Sequence, residues 1–151
     1  MNLAIRQGQA RYNRCVENNW TPYGQGDLKG HQRGRLGELI FPGWFDGSEP
    51  DPDWSWEADI ARGKKDFIDK HGRRWGIRTT PYTSRGLFLK PDDRDGLYVL
   101  IVVYAAPRCY VAGWITKSEA QENHQLQPMH CDKSKMCWSV PQSALHPFLP
   151  R

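Results

Sequence analysis

The sequence predicts an α+β fold: a mixed β-sheet of about five strands flanked by helices, with helices leading and strands following. Three observations carry this. Residues 2–41 hold two helix-forming runs separated by one polar loop. The stretch LYVLIVVYA, Leu97–Ala105, is nearly all apolar, as a central strand buried on both faces should be. Segments rich in strand formers lie on either side of it, punctuated by Gly and Pro, with a short helical pattern after them.

At 151 residues the chain suits one domain. Residues 1–30 form an N-terminal helix and loop, and residues 31–151 the core. In order, 2–17 read as a helix with Gly8 as a weak point, and 18–29, with Pro22, Gly24 and Gly26, as loop. A second helix spans 32–41, with Leu36, Leu39 and Ile40 as its apolar stripe and Pro42-Gly43 as its stop. Residues 42–61 are irregular and include Trp54 and Trp56. Strands then dominate: 65–69 and 73–80 as a hairpin, a short strand at 86–90, the apolar strand 97–105, and 109–116 with alternating character. Thr116 and Ser118 resemble caps of a short helix over 117–123, and a last strand covers 137–140.

Composition excludes several classes. No apolar run approaches the roughly 20 residues of a membrane span. The start, MNLAIRQGQARYNR, has no basic segment followed by an apolar stretch, so no signal peptide is expected and a cytoplasmic location follows. Cys15, Cys109, Cys131 and Cys137 are dispersed, as free thiols would be. His124, His130, Cys131 and Cys137 lack the paired spacing of a zinc site, and no phosphate-cradling Gly-rich motif occurs.

The net charge of +4 hides a division. Asp46, Glu49, Asp51, Asp53, Glu57 and Asp59 form a patch without Lys or Arg, suited to a basic protein partner through 46–59. Residues 62–85 carry Arg62, Lys64, Lys65, Lys70, Arg73, Arg74, Arg78 and Arg85 against Asp66 and Asp69. Such a block suits a phosphate backbone, although basic residues on a solvated hairpin need no ligand.

The hairpin register follows from burial. A Lys70-His71-Gly72 loop, with Gly72 at positive φ, sets Asp69 against Arg73, Phe67 against Trp75 and Asp66 against Gly76. Phe67, Trp75 and Ile77 then share the core face, and Asp66, Gly76 and Arg78 the other. A two-residue turn would put a carboxylate on the apolar face.

This hairpin resembles the PD-(D/E)xK, or restriction-endonuclease-like, nucleases of phages and bacteria. The likeness extends over about residues 30–150, through GLFLKPDDRDGLYVLIVVY, YVAGWITKSEA and WSVPQSALHPF. It implies a restriction-endonuclease-like fold and Mg²⁺- or Mn²⁺-dependent hydrolysis of DNA phosphodiesters. Asp66 matches the family's first aspartate and Glu38 its helix glutamate, the two implied metal ligands. Gly76 falls where the second acid belongs, and Arg78 where the lysine belongs. The implied catalytic residues are Glu38, Asp66 and Arg78, with Lys64, Lys65, Lys70, Arg73, Arg74 and Arg85 contacting DNA. If phage-encoded, the protein would act in the host cytoplasm, and such nucleases often work as homodimers.

The two departures have chemical weight. Mg²⁺ activates water and screens the phosphate when two or three carboxylates hold it. Gly76 removes one carboxylate, and Arg78, always protonated, stabilises charge but is no base. Two readings therefore stand side by side: a divergent endonuclease, and an inactive nuclease-fold protein that binds nucleic acid or serves as a phage accessory or inhibitor. Each residue also has a plain structural reading. Asp66 could pair with Arg78, Glu38 could be an exposed helix residue, and Gly76 could serve close packing.

Overall fold

The computed structural model describes residues 2–17, 28–50, 66–130 and 132–149. Among these are three helices, a mixed four-stranded sheet and a three-stranded antiparallel sheet, an α+β arrangement. None of the helices is long and apolar enough to cross a membrane.

Helices α1 (Asn2–Glu17) and α2 (Leu28–Asp46) pack together. Gly8 serves this contact: a Cβ there would lie 2.6 Å from the Cα of Gln32, so only glycine permits the approach. Helix α2 is longer than the sequence suggested, and Pro42 lies inside it. The expected stop at Pro42-Gly43 is corrected by what the last turns bury. Ring centroids of Phe41 and Phe45 lie 5.5 and 5.1 Å from that of Trp75, and Trp44 lies 5.1 Å from Phe148. This aromatic packing offsets an interior proline, which costs about 3 kcal/mol. The stop is Gly47 instead, at φ +76°, whose N–H closes on the Gly43 carbonyl.

The four-stranded sheet has the order β1 (Phe67–Ile68), β2 (Arg74–Thr80), β4 (Leu97–Ala105), β5 (Arg108–Thr116). The β1–β2 hairpin has the register read from the sequence. Phe67 pairs with Trp75, Asp66 N–H donates to Trp75 O, Asp69 N–H donates to Arg73 O, and Gly72 has φ +78°. Strand β4 lies parallel to β2 and antiparallel to β5. It is buried on both faces: Val99, Ile101 and Val103 join the core under α2, while Tyr98, Leu100 and Val102 join a second core on the other side.

Strand β3 (Leu87–Leu89) does not extend this sheet, which corrects the single sheet of about five strands. It pairs with β7 (Met136–Val140), which also pairs with β6 (Leu126–Pro128). Leu87, Leu89, Trp138 and Val140 close the second core against Leu100 and Val102. This burial requires a separate layer. Strand β6 escaped the sequence reading because its three residues are all exposed and end in proline. Helix α3 (Lys117–Asn123) begins as expected at Thr116, whose hydroxyl accepts the Glu119 N–H.

The Gly-Trp-Ile segment has a local cause. A bulge at Ala112 shifts the β4–β5 register, Leu100 facing Gly113 and Ile101 facing Val111. Gly113 sits at φ +148°, and a Cβ there would lie 2.7 Å from His146 O. The C-terminal segment passes over it, with Trp114 N–H donating to His146 O and His146 N–H to Trp114 O.

Candidate functional site

Strand alternation places Asp66 and Arg78 on the face of the sheet away from α2. They meet there: Arg78 Nη1 lies 3.7 Å from Asp66 Oδ2. Asp66 Oδ2 also accepts the Ile77 N–H at 2.6 Å. That carboxylate thus continues the hairpin's hydrogen bonding past the end of β1.

The loop 90–96 supplies the other side of the cluster. Asp93 Oδ1 accepts from Arg78 Nη2 at 3.0 Å, and its Oδ2 accepts the Lys90 N–H at 2.7 Å. Lys117, buried on α3, donates its ammonium to the Pro91 and Asp93 carbonyls. A cation from a third element therefore fixes the loop that presents Asp93.

Tyr98 forms the floor. The Arg78 guanidinium carbon lies 5.0 Å from its ring centroid, and its hydroxyl donates to Arg94 O at 2.6 Å. Tyr98 faces Gly76 across the parallel pair, and a Cβ at 76 would stand 2.4 Å from Tyr98 Cε1. The ring occupies the space that a side chain at 76 would need.

Electrostatics follow from this packing. Burial opposes the Arg78 charge, but the carboxylates of Asp66 and Asp93 outweigh it and hold the guanidinium above its ordinary pKa. Burial, with the Asp93 charge, keeps the Tyr98 hydroxyl protonated well past its usual range. Burial also pulls the Lys90 ammonium below its normal value, against Asp93 and Asp92.

Glu38 lies elsewhere. It is buried on α2, and its Oε2 accepts from Arg35 Nη1 at 2.8 Å; Arg35 Nε in turn donates to Gln7 on α1. The next residue in towards the sheet, Gly37, abuts Ile77, Thr79 and Ile101, so α2 covers the face opposite Arg78 and Tyr98. The structure brings Asp66 and Arg78 together and puts Glu38 in the helical layer. Among the described residues, no three His, Cys, Asp or Glu side chains gather as ligands for one metal ion.

Asp69 is the buried hub of the hairpin. It accepts from the N–H groups of His71 and Arg73, from Arg73 Nε at 2.7 Å and from Trp75 Nε1 at 3.0 Å. Burial raises its pKa, but these donors outweigh burial and hold it below the ordinary aspartate value.

The candidate DNA contacts divide. Arg73 is tied to Asp69 and lies over the Phe45 and Trp75 rings. Lys70 donates to Asp46 O, and Asp46 Oδ2 accepts the Lys70 N–H. Arg74 is exposed, and Arg85 lies 4.8 Å from the Tyr82 ring centroid. Lys64 and Lys65, and the acidic patch from 51 to 59 with Trp54 and Trp56, lie outside the described residues.

Asp93, Tyr98 and Lys117 escaped the sequence reading. PDDRDG offers three aspartates with nothing to rank them, and Tyr98 reads simply as part of an apolar strand. The one available signal was Gly76, since an interior strand glycine implies something large opposite it. Comparison of the chain with models of protein families, with curated proteins and with solved structures gives no match.

Proposed function

We propose that this chain is a nucleic-acid-binding protein of restriction-endonuclease-like lineage in which an arginine-centred ion cluster stands in place of the metal centre. The observation that carries the reading is the Tyr98 ring packed against Gly76, beneath an Arg78 held by two carboxylates. In a nuclease of this kind, position 76 supplies an oxygen to Mg²⁺. Here an aromatic ring fills that volume, and Asp66 and Asp93 both pair with a guanidinium. Mg²⁺ demands near-octahedral oxygen ligation. Asp66 Oδ2, bonded to the Ile77 N–H, and Glu38, bonded to Arg35 in the helical layer, do not fit a shared Mg²⁺ or Mn²⁺. The cluster ties the hairpin to the 90–96 loop through Arg78, and the exposed Arg74 beside it is available to phosphates.

The convergence of Asp66 and Arg78 on one face favours a second reading, a divergent Mg²⁺- or Mn²⁺-dependent DNA endonuclease. One experiment separates the two. Plasmid and single-stranded DNA are incubated with the protein and Mg²⁺ or Mn²⁺, and binding is titrated against salt. The expected outcome is salt-dependent binding without strand cleavage. Cleavage that disappears in Asp66→Ala would overturn the proposal in favour of the enzyme.

A further inference from the structure

A second surface, remote from the ion cluster along the sheet, carries exposed aromatic rings among basic residues. Tyr104 and Tyr110 lie on the β4–β5 hairpin with ring centroids 6.1 Å apart, 50% and 38% exposed. Tyr82, 54% exposed, stands on the loop after β2, and the Arg85 guanidinium lies 4.8 Å from its ring centroid. These two sets are joined by one side chain. Gln142 Oε1 accepts the Tyr110 hydroxyl at 3.1 Å, while Gln142 Nε2 donates to Thr83 O at 2.8 Å and Arg85 O at 2.7 Å. The loop and the hairpin are thus held as one platform.

Charge defines what the platform suits. Segments 80–86, 103–111 and 141–144 contain Arg85 and Arg108 and no Asp or Glu. A guanidinium stacked on a ring is a recurrent device for holding a base and its phosphate together. An acidic peptide would satisfy the arginines but gives no reason for three exposed tyrosine rings beside them. A duplex satisfies the arginines too, but its base faces are stacked on one another and out of reach.

We infer that Tyr82, Tyr104 and Tyr110, with Arg85, form a stacking platform for unpaired bases of single-stranded nucleic acid. This rests on the nucleic-acid reading above and deepens it: base stacking supplies affinity, Arg85 and Arg108 follow the backbone, and little sequence preference results.

The test measures fluorescence anisotropy with a dye-labelled single strand and with the same strand annealed to its complement. Wild type binds the single strand more tightly. Tyr82→Ala, and separately the Tyr104→Ala/Tyr110→Ala pair, weaken single-strand binding about tenfold and change duplex binding less than about twofold. Tyr82→Phe, which keeps the ring, binds like wild type. Thermal melts confirm that each variant is folded. Two results overturn the platform while leaving nucleic-acid binding intact: variants that bind the single strand like wild type, or variants that lose single-strand and duplex binding equally. If wild type binds neither probe, the proposed function itself falls and the platform with it.

Discussion

Adding one methyl group at position 76 tests the reading of the site directly. In Gly76→Ala the new Cβ would stand 2.4 Å from Tyr98 Cε1 and 2.5 Å from Cδ1. The ring must retreat by about 1 Å to reach ordinary contact, in a core packed to crystal-like density. It cannot swing freely. Its hydroxyl is bonded to Arg94 O, its face lies beneath Arg78, and its edge is buried with Leu87, Leu89 and Leu100. Overpacking of this kind costs about 1–3 kcal/mol. Replacing glycine in a strand returns about 0.5–1 kcal/mol through the unfolded chain. The net expectation is a loss of about 1–2 kcal/mol, read as a lower urea midpoint by tryptophan fluorescence or a melting temperature reduced by about 2–8 °C. The double-mutant cycle is the sharper measurement. Tyr98→Ala alone is strongly destabilising, but in that background Gly76→Ala becomes neutral or favourable, because the ring it struck is gone. Equal effects of Gly76→Ala in both backgrounds would refute the claim that the Tyr98 ring occupies the space a side chain at 76 would need.

Two further outcomes follow from the geometry. Asp69→Asn keeps the shape but weakens four acceptor bonds in a buried position, so it should lower stability by about 3 kcal/mol in urea titrations at neutral pH. Because the folded Asp69 pKa is depressed, its contribution is present above the unfolded value near 3.8 and disappears as pH falls through the lower folded value. The wild-type advantage over Asp69→Asn should therefore shrink only below about pH 4. Gly113→Ala combines φ +148° with a Cβ 2.7 Å from His146 O, so it should release the C-terminal segment at a cost of about 2 kcal/mol or more. Limited proteolysis should then cut after Leu145 faster than in wild type.

Much of the fold was legible because local pattern and tertiary demand agree. The apolar run Leu97–Ala105 was read with its observed bounds, since a strand between two cores has no polar face to preserve. The hairpin register was legible because a slip by one residue would bury Asp66 among Phe67, Trp75 and Ile77. The extension of α2 through Pro42 was not, because the aromatic partners that sustain its last turns come from Trp75 and Phe148, far along the chain. The pairing of β3 with β7 is likewise a distant partnership that leaves no local trace. At the site, Asp66, Gly76 and Arg78 were legible as a set because they share one strand-to-strand register. Asp93 and Lys117 were not, because a turn and a buried lysine on another element select them.

The Trp114–His146 bridge bears on how the molecule coexists with copies of itself. A mixed sheet normally ends in two rims of unused backbone donors and acceptors that can recruit a foreign strand. Here one rim, β1, is two residues long, and the other, β5, is bent at Ala112 and partly shielded by the returning C-terminal segment. Neither presents a long straight template, so the backbone of this sheet itself disfavours edge-to-edge pairing between copies.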